Sequence, residues 1–338
     1  MTPQEFMQKQ KLPYAAKVAH AEIKAWEFYN QLDGMCYISV GGLDSITLLL
    51  FLRSIGIDVP AVSVSSLEDK SIQRIHRELG VQVLHPIKTQ KQVVEEYGYP
   101  IISKEKARKI EALQKADNPK QTFIHALITG DMGAQGNFGH SNRLKLPDKW
   151  LKLFGGNYQD HRPDFPMKAA PFRVSAECCY WMKEKPCSDY AKAAGRSPYM
   201  GLMASEGGQR EKGLMKNGCN YYGKSVTRSC PFAIFMRQDL LQLALDLHVP
   251  VPEIYGEIVR DTDGTLRTTR AQRTGCTMCG FGIHIEKRPH RYDRLYEDNP
   301  KYWNYLMYDQ GWGAVLDYIG VAWNPALEEK KNGENAQH

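Results

Sequence analysis

A short β-prone segment, MCYISV, runs directly into Gly41-Gly42 and then into an apolar helical stretch. The pattern continues along the chain, because residues 59–65 and 81–85 have strand character and residues 69–79 between them have helical character. Strands that alternate with helices form right-handed βαβ units and therefore parallel sheets. We predict an α/β protein with a parallel twisted sheet, helices on both faces and a cysteine-bearing C-terminal region.

Hydrophobic periodicity and turn residues indicate further elements. Helices are predicted at residues 15–32, 89–97, 104–115, 121–128, 148–154 and 237–247, a β-prone run at 199–204, and aromatic-rich helices beyond Tyr292. Residues 130–170 are rich in Gly, Asn, Pro and His and are predicted to form a long loop or lid.

Composition limits the class of protein. No apolar run approaches the roughly 20 residues that span a bilayer, and the polar amino terminus lacks the apolar segment of a secretory signal. We therefore expect a cytoplasmic protein without a membrane partner.

The formal net charge of +6 is compatible with phosphate-bearing ligands, although charge alone favours ordinary solubility over nucleic-acid binding. Eight cysteines in a cytosolic chain favour metal or thiol chemistry, because structural disulfides are rare there.

The glycine loop has the features of an anion site, since it follows a predicted strand and opens a predicted helix. Glycines allow a close approach, and the amides and dipole at a helix start favour negative charge. Ser45 adds a hydroxyl donor, and Asp44 either caps the helix or helps to hold Mg²⁺. A tight turn with Asp44 as the cap is the alternative interpretation. The sequence contains no G-x-x-x-x-G-K-[ST] and no G-x-G-x-x-G after a strand, so those nucleotide motifs are excluded.

Two cysteine pairs indicate a metal centre. Cys178 and Cys179 are adjacent, and Cys276 and Cys279 form a C-x-x-C about a hundred residues later. Four thiolates in two tight pairs suit an iron-sulfur cluster. Zinc is the competing metal, but its ligand pairs are usually separated by a few residues, so the adjacent pair favours iron-sulfur. Unliganded core cysteines are the third interpretation.

Taken together, these motifs resemble the phosphoadenosine phosphosulfate (PAPS) reductase-like branch of the adenine nucleotide α-hydrolases. VGGLDS is similar to the SGGxDS pyrophosphate loop of that superfamily, with Val40 in place of the first serine and Ser39 one position earlier. The cysteine pattern resembles that of adenylyl-sulfate reductases and related iron-sulfur members. Lys183 follows the first pair and Arg273 precedes the second, as in the family pattern.

Two further segments extend the resemblance to roughly residues 35–284. VSVSSLEDKS is similar to the family segment V-D-T-G-x-E and places Glu68 at the acidic position. Residues 199–210, between the two cysteine pairs, are similar to the family segment G-x-R-x-x-E-S-x-x-R and supply Glu206 and Arg210. Met203 and Gly207 depart from that pattern, which often has arginine and serine there.

The resemblance implies an adenine nucleotide α-hydrolase-like, Rossmann-like fold that uses an adenine nucleotide (ATP, or PAPS or adenylyl sulfate), Mg²⁺ and a 4Fe-4S cluster. It implies catalytic roles for Asp44, Ser45, Glu206 and Arg210; nucleotide contacts for Ser39, Gly41, Gly42, Leu43, Asp44, Ser45, Glu68 and Arg273; and cluster ligation by Cys178, Cys179, Cys276 and Cys279. The expected organisation is a nucleotide-binding half at residues 1–170, a cluster-binding and substrate region at 171–325 on the same sheet, and a disordered tail at 326–338.

Two reactions and one non-catalytic role are compatible with this resemblance. In the first, a target oxygen attacks the α-phosphorus of ATP, and a sulfur donor then displaces AMP. In the second, a cysteine thiolate attacks the sulfur of a sulfonucleotide, which is reduced to sulfite. True reductases carry a Glu-Cys-Gly motif near the C-terminus, whereas no cysteine follows Cys279, which favours ATP cleavage. The third reading is a nucleotide-binding subunit of a sulfur-modification complex.

The partners follow from these readings. The resemblance implies a sulfur donor such as a cysteine desulfurase, or a thioredoxin-like reductant, and includes nucleic acid among the substrates. Cys36 is expected in the core, whereas Cys187, Cys219 and Cys230 are candidates to carry sulfur.

Overall fold

A computed structural model describes residues 2–115, 121–132, 139–224 and 226–324. Its α-helices in these ranges are α1 (Pro3–Gln10), α2 (Tyr14–Gln31), α3 (Leu43–Ser54), α4 (Lys70–Glu78), α5 (Gln90–Tyr97), α6 (Lys104–Gln114), α7 (Gln121–Thr129), α8 (Asp148–Phe154), α9 (Lys185–Ala194), α10 (Gly208–Asn217), α11 (Arg237–Asp246), α12 (Arg291–Asp298), α13 (Pro300–Asn304) and α14 (Trp312–Tyr318). Its strands are β1 (Cys36–Ser39), β2 (Ala61–Ser63), β3 (Gln82–Val83), β4 (Ile101–Ile102), β5 (Ser197–Met200), β6 (Asn220–Tyr222), β7 (Thr227–Ser229), β8 (Ile258–Arg260), β9 (Leu266–Thr268) and β10 (Gly280–Phe281). Among these helices, none combines the length and the apolar character that a membrane crossing requires.

The largest sheet confirms the predicted α/β class. Its strand order is β3-β2-β1-β5-β7-β6, and only β6 and β7 pair antiparallel. From β1 the chain moves through α3 to β2 on one side of the sheet, whereas β5, β7 and β6 lie on the other side. The strand order therefore reverses between β1 and β5, and in open parallel sheets this is where ligands bind, beyond the carboxyl ends of the strands.

Packing divides the chain into two compact units, each built from two segments. The first unit comprises Met1–Ile87 and Lys183–Cys276, and the second comprises Lys88–Met182 and Thr277–His338, within the described residues. The chain thus changes unit at positions other than the boundary near residue 170 given by the sequence. The predicted division of roles between residues 1–170 and 171–325 stays a prediction.

The first unit has an apolar core around the large sheet. Strand β1 is almost fully buried, because Cys36 and Ile38 are inaccessible and α3 packs its apolar side chains into the same core. Helix α2 is amphipathic and buries Ala21, Ala25 and Phe28 in this core. The predicted helix at residues 15–32 is confirmed to within one residue at each end.

One ion pair is buried in the first unit. Nζ of Lys17, on α2, lies 2.7 Å from Oδ2 of Asp239, on α11, and the two side chains are only 5% and 11% exposed. The same carboxylate oxygen accepts a hydrogen bond of 2.6 Å from the backbone N–H of Met236, the N-cap residue of α11. Asp239 therefore both neutralises Lys17 and caps α11.

The second unit has its own core and a small two-stranded sheet. Strands β4 and β10 pair in parallel, with Gly280 opposite Ile101. This core combines aliphatic side chains with large aromatic ones, among them the buried Trp150, Tyr292, Trp303 and Trp312. Gly280 has no room for a side chain, because a β-carbon there would lie 2.6 Å from the ring of Trp312 and 2.7 Å from the carbonyl oxygen of Pro100.

The region predicted as a loop or lid belongs to the second unit. Residues 133–138 lie outside the described residues, and so does the predicted tail at 326–338. The helix predicted within the lid is confirmed, because α8 runs over Asp148–Phe154 and buries Trp150 and Leu151. The sequence GNYQDH at 156–161 then forms a 3₁₀ turn. The described residues of the predicted lid thus include one helix packed on the second unit's core and one 3₁₀ turn, and a role as a lid stays a prediction.

Asp293 gives the second unit a predictable acid sensitivity. Burial opposes ionisation of Asp293, but hydrogen bonds from His290 and Arg288 outweigh it and hold its pKa well below the usual value. A carboxyl group whose pKa is depressed by folding stabilises the protein above its unfolded pKa of about 3.9, and the contribution is lost as the pH falls below that value.

We therefore expect the free energy of unfolding to fall between pH 5 and pH 2, as measured by urea unfolding. An Asp293→Asn variant should be less stable at pH 7 and should show a smaller change over this range. An equal slope in the variant and the wild type would contradict the assignment.

Candidate functional site

Neighbouring parallel strands carry the predicted site residues to one edge of the first unit's sheet. Glu68 follows β2, Asp44 follows β1 and Glu206 follows β5. These three strands are adjacent and parallel, so their carboxyl ends share one edge. Arg237 joins them, because it begins α11 after β7, the parallel neighbour of β5.

The glycine loop presents backbone amides at the start of α3. The N–H of Gly41 donates to Oγ of Ser45 at 2.6 Å, and the N–H of Leu43 donates to the hydroxyl of Tyr255 at 3.2 Å. Within the part of the chain that the structure describes, the amides of Gly42 and Asp44 have no protein acceptor. These two donors, at the positive end of a helix of 12 residues, are suited to binding an anion.

The two glycines of the loop have different surroundings. A β-carbon on Gly42 would lie 2.1 Å from the hydroxyl oxygen of Tyr255 and 2.9 Å from Oγ1 of Thr274. A β-carbon on Gly41 would make only ordinary contacts, at 3.7 Å from Glu68 and Ser45. Glycine is therefore required at position 42 by lack of space.

Ser45 and Asp44 have other partners than those first expected. The Ser45 hydroxyl donates to the Gly42 carbonyl at 3.0 Å, so it braces the loop in this structure. Asp44 lies inside α3, whose N-cap is Gly42, and so the helix-cap interpretation of Asp44 is wrong. Its Oδ1 lies 2.5 Å from an Nη of Arg237, and both side chains are one quarter exposed.

Glu206 holds two arginines at this edge. Its side chain is 3% exposed and pairs with Arg210 on α10, while Arg273 approaches the same oxygen at 3.6 Å. The side chains of Arg210 and Arg273 are 51% and 58% exposed, so they remain accessible to an external anion. Gly207, next to Glu206, has φ of 75° and ψ of −173°, a conformation that essentially only glycine adopts.

Glu68 pairs with Lys183. Nζ of Lys183 lies 2.5 Å from Oε1 of Glu68, whose side chain is 5% exposed. Burial disfavours the charge on Lys183, but the nearby Glu68 and Cys276 groups outweigh burial and raise its pKa. Lys183 is thus a fixed cation beside both a predicted nucleotide ligand and a predicted cluster ligand.

Ser39 faces α9 rather than the glycine loop. Its hydroxyl oxygen lies 3.9 Å from Sγ of Cys187, which is partly exposed. Burial raises the pKa of Cys36, Cys219 and Cys230 to about 11, about 11 and about 12. Cys36 is in the core as predicted, and inaccessible, protonated thiols make Cys219 and Cys230 poor sulfur carriers.

The four predicted cluster ligands are partly exposed. Cys178 and Cys179 begin the helical run that continues, through a π-helical turn, into α9. Arg291 donates a 3.0 Å hydrogen bond to the carbonyl of Cys279. Across the described ranges, no three His, Cys, Asp or Glu side chains form a group that could hold a metal ion, and the cluster stays a prediction.

Sequence reasoning missed several residues around the glycine loop. Tyr255 and Thr274 are hydrogen-bonded at 2.7 Å and lie over Gly42, and His76 contacts the Gly41 carbonyl. Arg237 was missed as the partner of Asp44. None of these lies in the glycine motif, and their separation along the chain gives no local signal.

No family model matches the chain, and no curated protein matches it.

Proposed function

We propose that this protein is an ATP-dependent adenylating or sulfur-transfer enzyme, similar to the PAPS reductase-like family, that cleaves its nucleotide at the α-phosphate. The observation that carries the proposal is a pair of backbone amides at the start of α3, those of Gly42 and Asp44, that have no protein acceptor among the described residues. They lie where the strand order of a mostly parallel sheet reverses, which is the usual place for a ligand in such sheets. We extend the proposal to a Rossmann-like arrangement of the first unit and to a cytoplasmic location.

Charged side chains at the same edge support a phosphate ligand. Arg210 and Arg273 expose half or more of their side chains while sharing the buried Glu206 carboxylate. A guanidinium group can bind two phosphate oxygens at once and stays charged at any physiological pH. Two such groups on one carboxylate leave a net positive charge for the ligand.

The ion pairs indicate how a magnesium nucleotide would be accommodated. Asp44, Glu68 and Glu206 each pair with a cationic side chain in the structure. Phosphate oxygens attract arginine and lysine, whereas Mg²⁺ takes carboxylate oxygens and water. We propose that the magnesium nucleotide exchanges these pairs, so that the cations bind phosphate and Asp44 faces the metal.

The proposed reaction has two displacements. A nucleophilic oxygen of the acceptor attacks the α-phosphorus, the bond to the β-phosphate oxygen breaks, and pyrophosphate leaves with its electron pair. A sulfur nucleophile from the donor then attacks the acceptor atom that bears the adenylated oxygen, the bond between that atom and the oxygen breaks, and AMP leaves with the electron pair. Both steps depend mainly on positioning and charge neutralisation, which the loop amides and Arg210 would provide.

The four partly exposed thiols have the chemistry of iron-sulfur ligands, and Cys178, Cys179, Cys276 and Cys279 would hold a 4Fe-4S cluster. Such a cluster would supply a polarisable, charged centre near its ligands. Lys183, which pairs with Glu68, is the cation of the first unit beside Cys276.

The direct test is incubation of anaerobically purified protein with ATP and Mg²⁺, together with candidate acceptors from DNA, RNA and small molecules. We expect AMP and pyrophosphate in equal amounts. ATP binding without either product would favour a non-catalytic nucleotide-binding subunit. Sulfite from PAPS or adenylyl sulfate with thioredoxin would show the reductase instead.

Asp44→Asn distinguishes the two parts of the proposed exchange, which are the binding of phosphate by Arg237 and the binding of Mg²⁺ by Asp44. The amide keeps the size of Asp44 but releases Arg237 from its 2.5 Å ion pair. We expect binding of metal-free pyrophosphate to strengthen and binding of MgATP to weaken, each by roughly tenfold, because a tenfold change needs only about 1.4 kcal/mol. Isothermal titration calorimetry of both ligands checks this.

The matched control is Asp261→Asn, which breaks an exposed pair with Arg267 in the β8–β9 hairpin. It should leave both affinities unchanged. Parallel changes for the two ligands in Asp44→Asn would contradict the exchange.

A further inference from the structure

His76 is a buried titratable group that the proposed reaction does not use. It lies on α4 and is completely inaccessible to solvent. Its Nε2 lies 2.8 Å from the carbonyl oxygen of Gly41, and its Nδ1 lies 2.8 Å from Oγ of Ser65. The ring therefore joins the loop after β1 to the loop after β2.

These contacts fix the tautomer of the ring. A carbonyl oxygen can only accept, so Nε2 must carry the hydrogen that is donated to Gly41. Burial lowers the pKa of His76, which favours the neutral ring. In that form Nδ1 accepts the hydroxyl proton of Ser65, and both ring nitrogens are satisfied.

The hydrogen bond to Gly41 also sets the direction of the next amide. A trans peptide is planar, with its C=O and N–H pointing in opposite directions. Because the Gly41 carbonyl points to His76, the N–H of Gly42 points away from His76. That amide has no protein acceptor in the described part of the chain.

We propose that His76 is a positioning residue for the phosphate loop, holding the Gly41–Gly42 peptide so that the Gly42 amide donates to the bound anion. That the bound anion is a phosphate group rests on the proposed function, whereas the contacts between His76 and the loop are observed independently of it. Glycine loops can rotate their peptides easily, since glycine has few steric limits. The hydrogen bond from His76 to the Gly41 carbonyl prevents rotation of the Gly41–Gly42 peptide. The loop's own Ser45 contacts the Gly41 amide and the Gly42 carbonyl instead.

The test compares two substitutions of similar size. His76→Leu removes the donor, whereas His76→Gln can place an amide N–H near the position of Nε2. The probe is inorganic pyrophosphate, measured by calorimetry. We expect His76→Leu to weaken binding about tenfold, as for the loss of one buried hydrogen bond, and His76→Gln to recover most of it. Ile75→Ala, at a buried neighbour on α4, is the control for lost packing and should lower the melting temperature without changing this affinity.

Wild-type nuclear magnetic resonance gives a readout that needs neither variant nor ligand. The ¹⁵N spectrum of His76 should show Nε2 protonated and Nδ1 accepting, and the Gly42 amide should exchange with solvent in the unliganded protein. Protonation at Nδ1 alone would overturn the proposal, as would wild-type affinity in His76→Leu or a His76→Gln no better than leucine. If the wild type binds neither pyrophosphate nor ATP, the positioning role of His76 fails together with the proposed function. If pyrophosphate binding depends on His76 but ATP yields no AMP, only the proposed function fails.

Discussion

Replacing Lys17 with methionine should lower the free energy of unfolding by about 3–5 kcal/mol, the usual cost of leaving a buried charge without its partner. The Lys17 side chain is 5% exposed, and its removal leaves the Asp239 carboxylate with the Met236 amide as its one remaining partner among the described residues. Urea unfolding at pH 7, followed by circular dichroism, measures the change. The expected loss is a large part of the total free energy of unfolding of a typical domain, which is about 5–15 kcal/mol.

Two further variants test the cause. Arg267→Met breaks the exposed pair with Asp261 and should cost at most about 1 kcal/mol. Lys17→Met combined with Asp239→Leu removes both charges and should recover part of the lost stability, less the helix cap that Asp239 provides. A double variant no more stable than Lys17→Met would show that burial of the lone charge is not the cause.

Gly42→Ala should both destabilise the first unit and abolish tight binding of pyrophosphate. The added methyl group would lie 2.1 Å from the Tyr255 hydroxyl, so the ring or the loop must move. Overpacking of this kind costs about 1–3 kcal/mol, and a displaced loop loses the alignment of its amides. We expect a loss of affinity of at least about tenfold, equivalent to about 1.4 kcal/mol.

The chain offers a matched control in the neighbouring glycine. Gly41→Ala adds the same methyl group where the nearest atoms are 3.7 Å away, so stability should change little. Combining Gly42→Ala with Tyr255→Phe removes the clashing hydroxyl, and the pair should destabilise less than the sum of the single changes. Strict additivity, or a Gly42→Ala protein as stable as wild type, would contradict this packing argument.

Much of the first unit could be predicted from local patterns. The strand, glycine loop and helix around Gly41 are present, and Asp69 caps α4 where a helix start was predicted. Helix α9 was missed; Pro186, its one buried residue, stands in its first turn, where proline is compatible with a helix start although it often marks a break in a sequence. Helix α10 begins at Gly208, with positive φ at two successive glycines, which resembles a loop in sequence.

Of the candidate site, the glycine loop could be predicted from the sequence, whereas the distant residues around it could not. The loop residues from Gly41 to Ser45 follow from spacing, because neighbours in sequence are neighbours in a loop. Arg237 is 193 residues from Asp44 and pairs with it only because β7 is parallel to β5 in the same sheet. Strand order of this kind depends on tertiary packing, which a single sequence does not record.

The pairing of carboxylates with cations at the sheet edge has a kinetic consequence. Arg237, Lys183, Arg210 and Arg273 carry four positive charges there, and Asp44, Glu68 and Glu206 carry three negative ones. Such an edge projects little long-range field, so it should attract an anionic ligand weakly during diffusion. Association rates should therefore change only slightly with ionic strength, and binding strength should come instead from rearrangement after encounter.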